Sequence, residues 1–100
     1  MAWLAMSEDV ENSAAIREEH LSAHLEYIET ILHKIEVGGP MNTEENPEYT
    51  SSAIIYQVET EAEARSLYEN DPYFKAGLYA KTILRQFKPV VGNWVGGKTW

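Results

Sequence analysis

The sequence predicts an α+β fold of the ferredoxin-like type, a sandwich in the element order β-α-β-β-α-β. Two observations predict it. Residues 13–36 repeat apolar side chains at helical steps of three and four, and Thr60 with Glu63 marks the start of a second helix. About four further segments are short, apolar and β-branched, as strands are. We therefore expect one domain over residues 1–100, with an antiparallel sheet and both helices on one face.

The first half of the chain supplies a strand and the longer helix. Ala2–Met6 is an apolar run typical of a buried strand, and the polar residues 7–13 indicate a loop. The helix is predicted from Ser13 to Glu36, and we expect Gly38-Gly39-Pro40 to end it, because proline cannot continue a helix. Its apolar stripe, predicted to pack on one layer, consists of Leu21, Leu25, Ile28, Leu32 and Ile35, and its wet side carries Glu18, Glu26, Glu29 and His33.

The second half supplies the remaining elements. They are a short strand around Val37–Met41, a loop to Thr50, a strand at Ser52–Glu59, a helix at Glu61–Asn70, a turn or short helical piece at Tyr73–Gly77, a strand at Tyr79–Lys88 and a Gly-rich tail at 89–100. Asp71-Pro72 breaks the second helix. Its predicted inner face holds Ala64, Leu67 and Tyr68.

The sheet is predicted to have two apolar faces. The strands at Ser52–Glu59 and Tyr79–Lys88 carry apolar residues at both parities, whereas two helices can cover one face only. Large bare apolar patches are rare on monomers. We therefore expect a homodimer in which a second copy covers the other face, with Trp94 and Trp100 of the tail wrapping over the partner.

Composition excludes several functions. A net charge of −8, from 16 acidic and 8 basic residues, disfavours nucleic acid and anionic membrane surfaces as partners. The absence of cysteine excludes disulfides, thiol nucleophiles and zinc ribbons. No apolar run approaches the roughly 20 residues of a membrane span, and no signal peptide is evident. The cytoplasm is the expected compartment.

Candidate chemistry begins at the margin of the helical stripe. Arg17 and His24 lie about 40° and 60° from the stripe centre, on the same side and roughly 10 Å apart along the axis. A cation and an imidazole beside an apolar face indicate a rimmed pocket. The alternative is structural: Arg17 pairs with a neighbouring acid, and His24 hydrogen-bonds at the edge of the core.

Asp71 is the acid most suggestive of a site. It follows a helix end and precedes Pro72, Tyr73 and Phe74, and a carboxylate among aromatic rings needs a partner. Alternatively, it starts a local turn and bonds only nearby backbone amides. His20 and His24 have the i, i+4 spacing of helical metal ligands, but no third ligand accompanies them, so we expect no metal and no cofactor.

Several segments together carry a family resemblance. Residues 69–79, ENDPYFKAGLY, resemble the DPY/F-x-x-AGL signature of the YCII-related domain family. A second arginine, common in the family three residues before its histidine, is replaced here by Leu21, so a two-arginine anion clamp is not carried over. The similarity covers roughly residues 2–95, and its other parts are His24-Leu25-Glu26-Tyr27, Ser13 with Arg17, Gly39-Pro40 and Phe87-Lys88-Pro89.

The resemblance implies a dimeric α+β barrel with a His24–Asp71 pair in a pocket near the helices. Some similar proteins are dehydrochlorinases that act in the breakdown of chlorinated aromatics. Related barrels include isomerases, monooxygenases and haem-handling enzymes. Oxygen or haem chemistry, with His24 as an axial ligand, is therefore a third alternative beside the two hypotheses that follow.

The leading hypothesis is a small-molecule lyase or isomerase, acting by dehydrochlorination or by lactone or enol chemistry on an aromatic-degradation intermediate. His24 is the general base, since free imidazole has a pKa of about 6.5, and Asp71 fixes its tautomer. Arg17 holds a carboxylate or a developing enolate of an anionic or aromatic substrate. Tyr27, Tyr73 and Phe74 wall the substrate. The alternative is a non-catalytic ligand-binding or accessory domain in which the His–Asp pair is a structural lock.

Overall fold

The computed structural model describes residues 1–100, the whole chain. A 3₁₀ turn at Leu32–Lys34 joins the long helix to the second strand, and another at Asn93–Val95 lies within the tail hairpin. No helix combines the length and the apolar character that crossing a bilayer requires. In chain order the elements are β1 (Ala2–Asp9), α1 (Ala14–Ile31), β2 (Ile35–Met41), β3 (Ser51–Gln57), α2 (Glu61–Glu69), α3 (Pro72–Lys75), β4 (Tyr79–Phe87), β5 (Val91–Gly92) and β6 (Gly97–Lys98).

Four strands form one antiparallel sheet in the order β2-β3-β1-β4, with β1 pairing on both sides. Side chains alternate between the two faces of a strand. Ala5, Tyr56 and Leu84 project from the sheet into a buried cluster with Ala64 and Tyr68 of α2. The predicted α+β sandwich, antiparallel and with its helices on one face, is confirmed.

The long helix is shorter than predicted, and the glycine pair does not end it. α1 ends at Ile31, and Gly38 lies inside β2, opposite Ile54 of β3. A Cβ atom at Gly38 would stand 2.9 Å from Cγ1 of Ile54. The glycine therefore permits the close approach of two strands. Ile35 continues the helical period in sequence but begins a strand, because pairing with β3 supplies its backbone partners.

The second face of the sheet is apolar and open in the single chain. Met6 lies opposite Ile83, and Val37 lies opposite Ile55. Met6, Val37 and Ile83 are each between 37% and 42% exposed. An apolar sheet face of this kind is typical of a surface that is covered by another subunit.

We expect the protein to be a dimer in dilute solution, because a second copy would bury this face in an interface of roughly 2,000 Å² or more. Light scattering at low micromolar concentration should give twice the mass of one chain. Ile83→Glu should yield monomers, since it places a charge in the buried interface. Leu32→Glu, at a residue 62% exposed beyond the end of α1, is the matched control and should remain dimeric. A stable wild-type monomer would contradict the expectation.

Candidate functional site

A cavity of about 790 Å³ lies between α1 and the helix-facing side of the sheet. Leu21 and Ile28 of α1 line one wall, and Ile54 and Tyr56 of β3 line another. The volume falls within the range of small-molecule sites, roughly 300–1,000 Å³. Most of the lining residues are hydrophobic, so the cavity suits an apolar or aromatic molecule.

The apolar stripe of α1 borders this cavity. Leu21 and Leu25 are 47% and 51% exposed, although a helix stripe packed on a sheet would be buried. The prediction that the stripe packs on one layer is therefore wrong for these two residues and for Leu32, which is 62% exposed. The physical reason is that α1 packs most extensively against α3, which leaves space between the stripe and the sheet.

His24 and Asp71 are in direct contact at one side of the cavity. Nδ1 of His24 lies 2.8 Å from Oδ1 and 2.9 Å from Oδ2 of Asp71. An ionised carboxylate only accepts hydrogen bonds, so Nδ1 carries the proton and Nε2 of the neutral ring is the free acceptor. Nε2 of His24 forms no hydrogen bond within the protein. If it were buried, it would be a buried polar atom without a partner, and Trp3 Nε1 is the one side-chain atom of that kind. Nε2 is therefore accessible, on a residue that lines the cavity.

The local sequence places Asp71 for two contacts at once. The residue before a proline favours extended backbone, and Asp71 has φ −64° and ψ 131°. Pro72 then starts α3, and Oδ1 of Asp71 accepts a hydrogen bond of 2.8 Å from the amide of Tyr73. Asp71 therefore fulfils both alternatives at once: it accepts a hydrogen bond from the nearby amide of Tyr73, and it pairs with the distant side chain of His24.

Tyr73 fixes the orientation of the imidazole. The rings of His24 and Tyr73 are stacked, with centroids 4.0 Å apart and planes 10° from parallel. The Tyr73 hydroxyl donates to the carbonyl oxygen of Arg17 at 3.2 Å. The ring of Tyr73 is therefore held at both ends of its side chain, and it lines the cavity beside His24.

Arg17 lines the cavity but is already paired. Its Nε and Nη2 donate to Oδ2 and Oδ1 of Asp9 at 2.7 Å and 3.0 Å, a two-bond geometry. Nη2 also donates to Ser52 Oγ at 3.1 Å, and Ser13 Oγ donates to Asp9 at 2.8 Å. Burial lowers the pKa of Arg17, but the hydrogen bonds and charge of Asp9 outweigh it and leave the pKa above its usual value.

Asp9 was not singled out by the sequence analysis. It ends β1, eight residues before Arg17, and the pairing of β1 with β4 shifts register between Glu8 and Asp9. The pairing of Arg17 with a neighbouring acid was one of the alternatives, but nothing in the spacing distinguished Asp9 from the other nearby acids. The predicted role of Arg17 in holding a substrate carboxylate is therefore revised, because its charge is compensated by Asp9 and it is not a free cation.

Two of the predicted wall residues lie outside the cavity lining. The Tyr27 hydroxyl donates to the carbonyl oxygen of Leu67 at 2.6 Å, which ties α1 to α2. Phe74 packs edge-on against the rings of Tyr68 and Tyr79. The prediction that Tyr27 and Phe74 wall the substrate is therefore revised: both support the wall from behind, because their polar or aromatic groups are engaged in the core.

Three tyrosines that the sequence analysis did not propose as site residues also line the cavity: Tyr56, Tyr68 and Tyr79. Burial raises the pKa of each above 10, and the negative charge of Asp71 raises it further. Their hydroxyls therefore stay protonated near neutral pH and can donate hydrogen bonds, but they cannot act as bases. Tyr56 shares its strand face with Ile54 at period two, the one signal that pointed to this position.

The geometry around His20 offers little for a metal ion. Nε2 of His20 lies 3.7 Å from a carboxylate oxygen of Glu19. No cluster of three or more His, Cys, Asp or Glu side chains suitable for a metal occurs in the structure.

The chain matches a described family and a bacterial relative. The model of the YCII-related domain matches residues 1–88. An uncharacterized protein of Haemophilus influenzae is 33% identical over 98 residues, which span 90% of this chain and 99% of that protein.

Solved structures show the same fold. The chain is 36% identical to the 5-chloro-2-hydroxyhydroquinone dehydrochlorinase of Burkholderia phenoliruptrix, solved with 2,5-dihydroxybenzoquinone, with a TM-score of 0.79 over 94% of this chain and 98% of that one. A variant of SnoaB, a cofactor-independent oxygenase of Streptomyces nogalater, is 5% identical, with a TM-score of 0.53 over 89% of this chain and 93% of that one. At that identity the second likeness concerns the fold alone.

Proposed function

Because the chain belongs to the YCII-related domain family, we propose that it is a small-molecule lyase or isomerase with His24 as its general base and Asp71 as the residue that positions it. The observation that carries the proposal is the contact of Nδ1 with both carboxylate oxygens of Asp71, which leaves Nε2 of this cavity-lining residue without a hydrogen-bond partner. A base must have its acceptor atom within reach of the substrate and held in one orientation.

In the proposed reaction, Nε2 of His24 removes a proton from a carbon next to a carbonyl group. The C–H electron pair moves toward the carbonyl and forms an enolate, while the imidazolium that results is stabilised by Asp71. An isomerase returns the proton to a different carbon. A hydroxylated, halogen-bearing ring has no such C–H group until it tautomerises: the proton of one ring hydroxyl moves to the halogen-bearing carbon, which gives a ketone. In a lyase, Nε2 then removes the proton of a second hydroxyl, whose electrons expel the halide as its anion and leave a quinone, and the imidazolium passes its proton to water.

Arg17 would stabilise the enolate oxygen. Its Nη1 forms none of the hydrogen bonds that hold Nε and Nη2 to Asp9, and Nη1 is not among the buried unpaired atoms. A preorganised donor bonds an oxygen more strongly as negative charge develops on it, so it contributes more to the rate than to substrate binding. Tyr73, stacked on His24, would provide the flat wall beside the substrate ring.

The substrate class we propose is a hydroxylated, halogen-bearing aromatic ring. The largely apolar cavity and the 36% identity to a dehydrochlorinase support this class. We expect the protein to release chloride from chlorinated hydroxyhydroquinones in oxygen-free buffer that contains EDTA. Chloride measured by an ion-selective electrode should appear in step with loss of the substrate's ultraviolet absorbance. If every chlorinated hydroxyhydroquinone tested released chloride only at the rate of a protein-free control, the proposal would be contradicted.

One observation favours a second candidate, a ligand-binding domain without catalysis. Asp71 both caps α3 and bonds His24, so it ties α1 to α3 as a structural lock would. If the domain only binds ligands, the same aromatic compounds should bind without turnover. His24→Ala should then lower the free energy of unfolding, and any slow background reaction should be unchanged.

A further inference from the structure

We propose that Asp9 determines the class of ligand that the cavity accepts: by compensating Arg17, it selects aromatic rings with uncharged hydroxyl or carbonyl substituents over rings that carry a carboxylate. This inference rests on the proposed function, since it takes the cavity as the substrate site.

The pairing of Asp9 with Arg17 is built to persist. Both carboxylate oxygens are used by the guanidinium, and Ser13 Oγ donates a further hydrogen bond of 2.8 Å. The Asp9 side chain is 1% exposed, whereas that of Arg17 is 14% exposed. Asp9 lies behind Arg17 and does not line the cavity. A ligand in the cavity therefore contacts a guanidinium whose positive charge is already compensated by Asp9, which does not line the cavity.

The other charged groups around the cavity do not invite an anion. Arg17 is the only lysine or arginine among the lining residues, and His24 is held by Asp71. Glu18 and Glu36 also line the cavity, so its carboxylates outnumber its permanent cations. A carboxylate ligand would lose its hydration without gaining an uncompensated positive partner, which is unfavourable.

The remaining polar groups suit uncharged oxygens. Nη1 of Arg17 is an accessible donor, and Tyr56 and Tyr79, whose hydroxyls burial keeps protonated, are also lining residues. Such donors can bind a phenol or ketone oxygen in the ground state. They meet an anionic oxygen only when the reaction creates one.

The test compares gentisate with gentisamide, two dihydroxylated rings of similar shape of which the first carries a carboxylate and the second an uncharged amide. Isothermal titration calorimetry should show that the wild-type protein binds gentisamide at least about tenfold more tightly than gentisate. Asp9→Asn removes the compensating charge and should shift this affinity ratio by about tenfold or more toward gentisate.

A charge series keeps the test decisive if one variant folds poorly. Arg17→Gln leaves Asp9 uncompensated and should shift the ratio further toward gentisamide, whereas the double variant Asp9→Asn with Arg17→Gln should keep the wild-type ratio. Glu8→Gln is the matched control, because Glu8 precedes Asp9 but pairs loosely with Lys81 at 3.8 Å outside the cavity. Circular dichroism identifies which of these variants are folded. Any two folded proteins that differ in charge at positions 9 and 17 are enough to test the expected change in the affinity ratio.

The outcomes separate this inference from the proposed function. If Asp9 only stabilises the fold, Asp9→Asn should change both affinities together and leave their ratio unchanged. That result would overturn the inference even if the protein still releases chloride. Failure of both compounds to bind, in a protein that also releases no chloride, would overturn the proposed function and this inference with it.

Discussion

Replacement of His24 by alanine, or of Asp71 by asparagine, should lower turnover by about 10²–10⁴-fold, the usual contribution of general acid–base catalysis. The double variant should lose little more than His24→Ala alone, because residues that act as one unit are strongly non-additive. Asparagine is a good N-cap, so Asp71→Asn should keep the cap of α3. It removes the charge that orients Nδ1 and stabilises the imidazolium.

The pH profile separates a catalytic pair from a structural one. The wild-type dependence of kcat/KM on pH should contain the ionisation of a base, and His24→Ala should remove that limb of the profile. His20→Ala is the matched control, since His20 lies one turn away on α1 and outside the cavity lining. Normal turnover by His24→Ala, or single losses that multiply in the double variant, would make the pair structural.

Truncation of Arg17 to alanine should lower the free energy of unfolding by about 3–5 kcal/mol, the cost of leaving one member of a buried ion pair alone. The Asp9 carboxylate is 1% exposed and would keep only the Ser13 hydroxyl of its present side-chain partners. Denaturant unfolding followed by circular dichroism measures the loss. Asp9→Asn with Arg17→Gln should recover most of it, because no charge then remains buried without a partner.

Arg65→Ala provides the control for this measurement. Arg65 pairs with Glu61 at 2.9 Å and with Glu69 at 3.6 Å, both on the exposed side of α2. Exposed pairs of this kind contribute little to stability, so the unfolding transition should hardly move. An effect of Arg17→Ala as small as that of Arg65→Ala would show that Asp9 finds another partner or water.

Where local chemistry dominates, the sequence was sufficient. The Thr60 side chain accepts a hydrogen bond from the Glu63 amide, and α2 begins at Glu61, as the capping pattern predicts. The apolar strands at residues 51–57 and 79–87 were predicted within one residue at their starts and two at their ends. A cap and a strand pattern need only neighbours along the chain, so their energetics are visible in the sequence.

The end of α1 shows the limit of that approach. The helical period continues through Leu32 and Ile35, yet α1 stops at Ile31, a 3₁₀ turn follows at Leu32–Lys34, and pairing with β3 begins at Ile35. The contact that requires glycine at position 38 is with Ile54, sixteen residues later. No periodicity reports which distant strand will compete for a segment's backbone hydrogen bonds.

The sequence by itself determined the fold class and the presence of a cation and an imidazole on one edge of α1. Only the tertiary structure decided what those groups contact: Asp9 for Arg17, and Asp71, 47 residues away, for His24. It also decided that Tyr56 and Tyr79 share a cavity with them. The physical reason is that pairing of buried charges depends on distances across the sheet and helix layers, and these distances are established by packing and strand register.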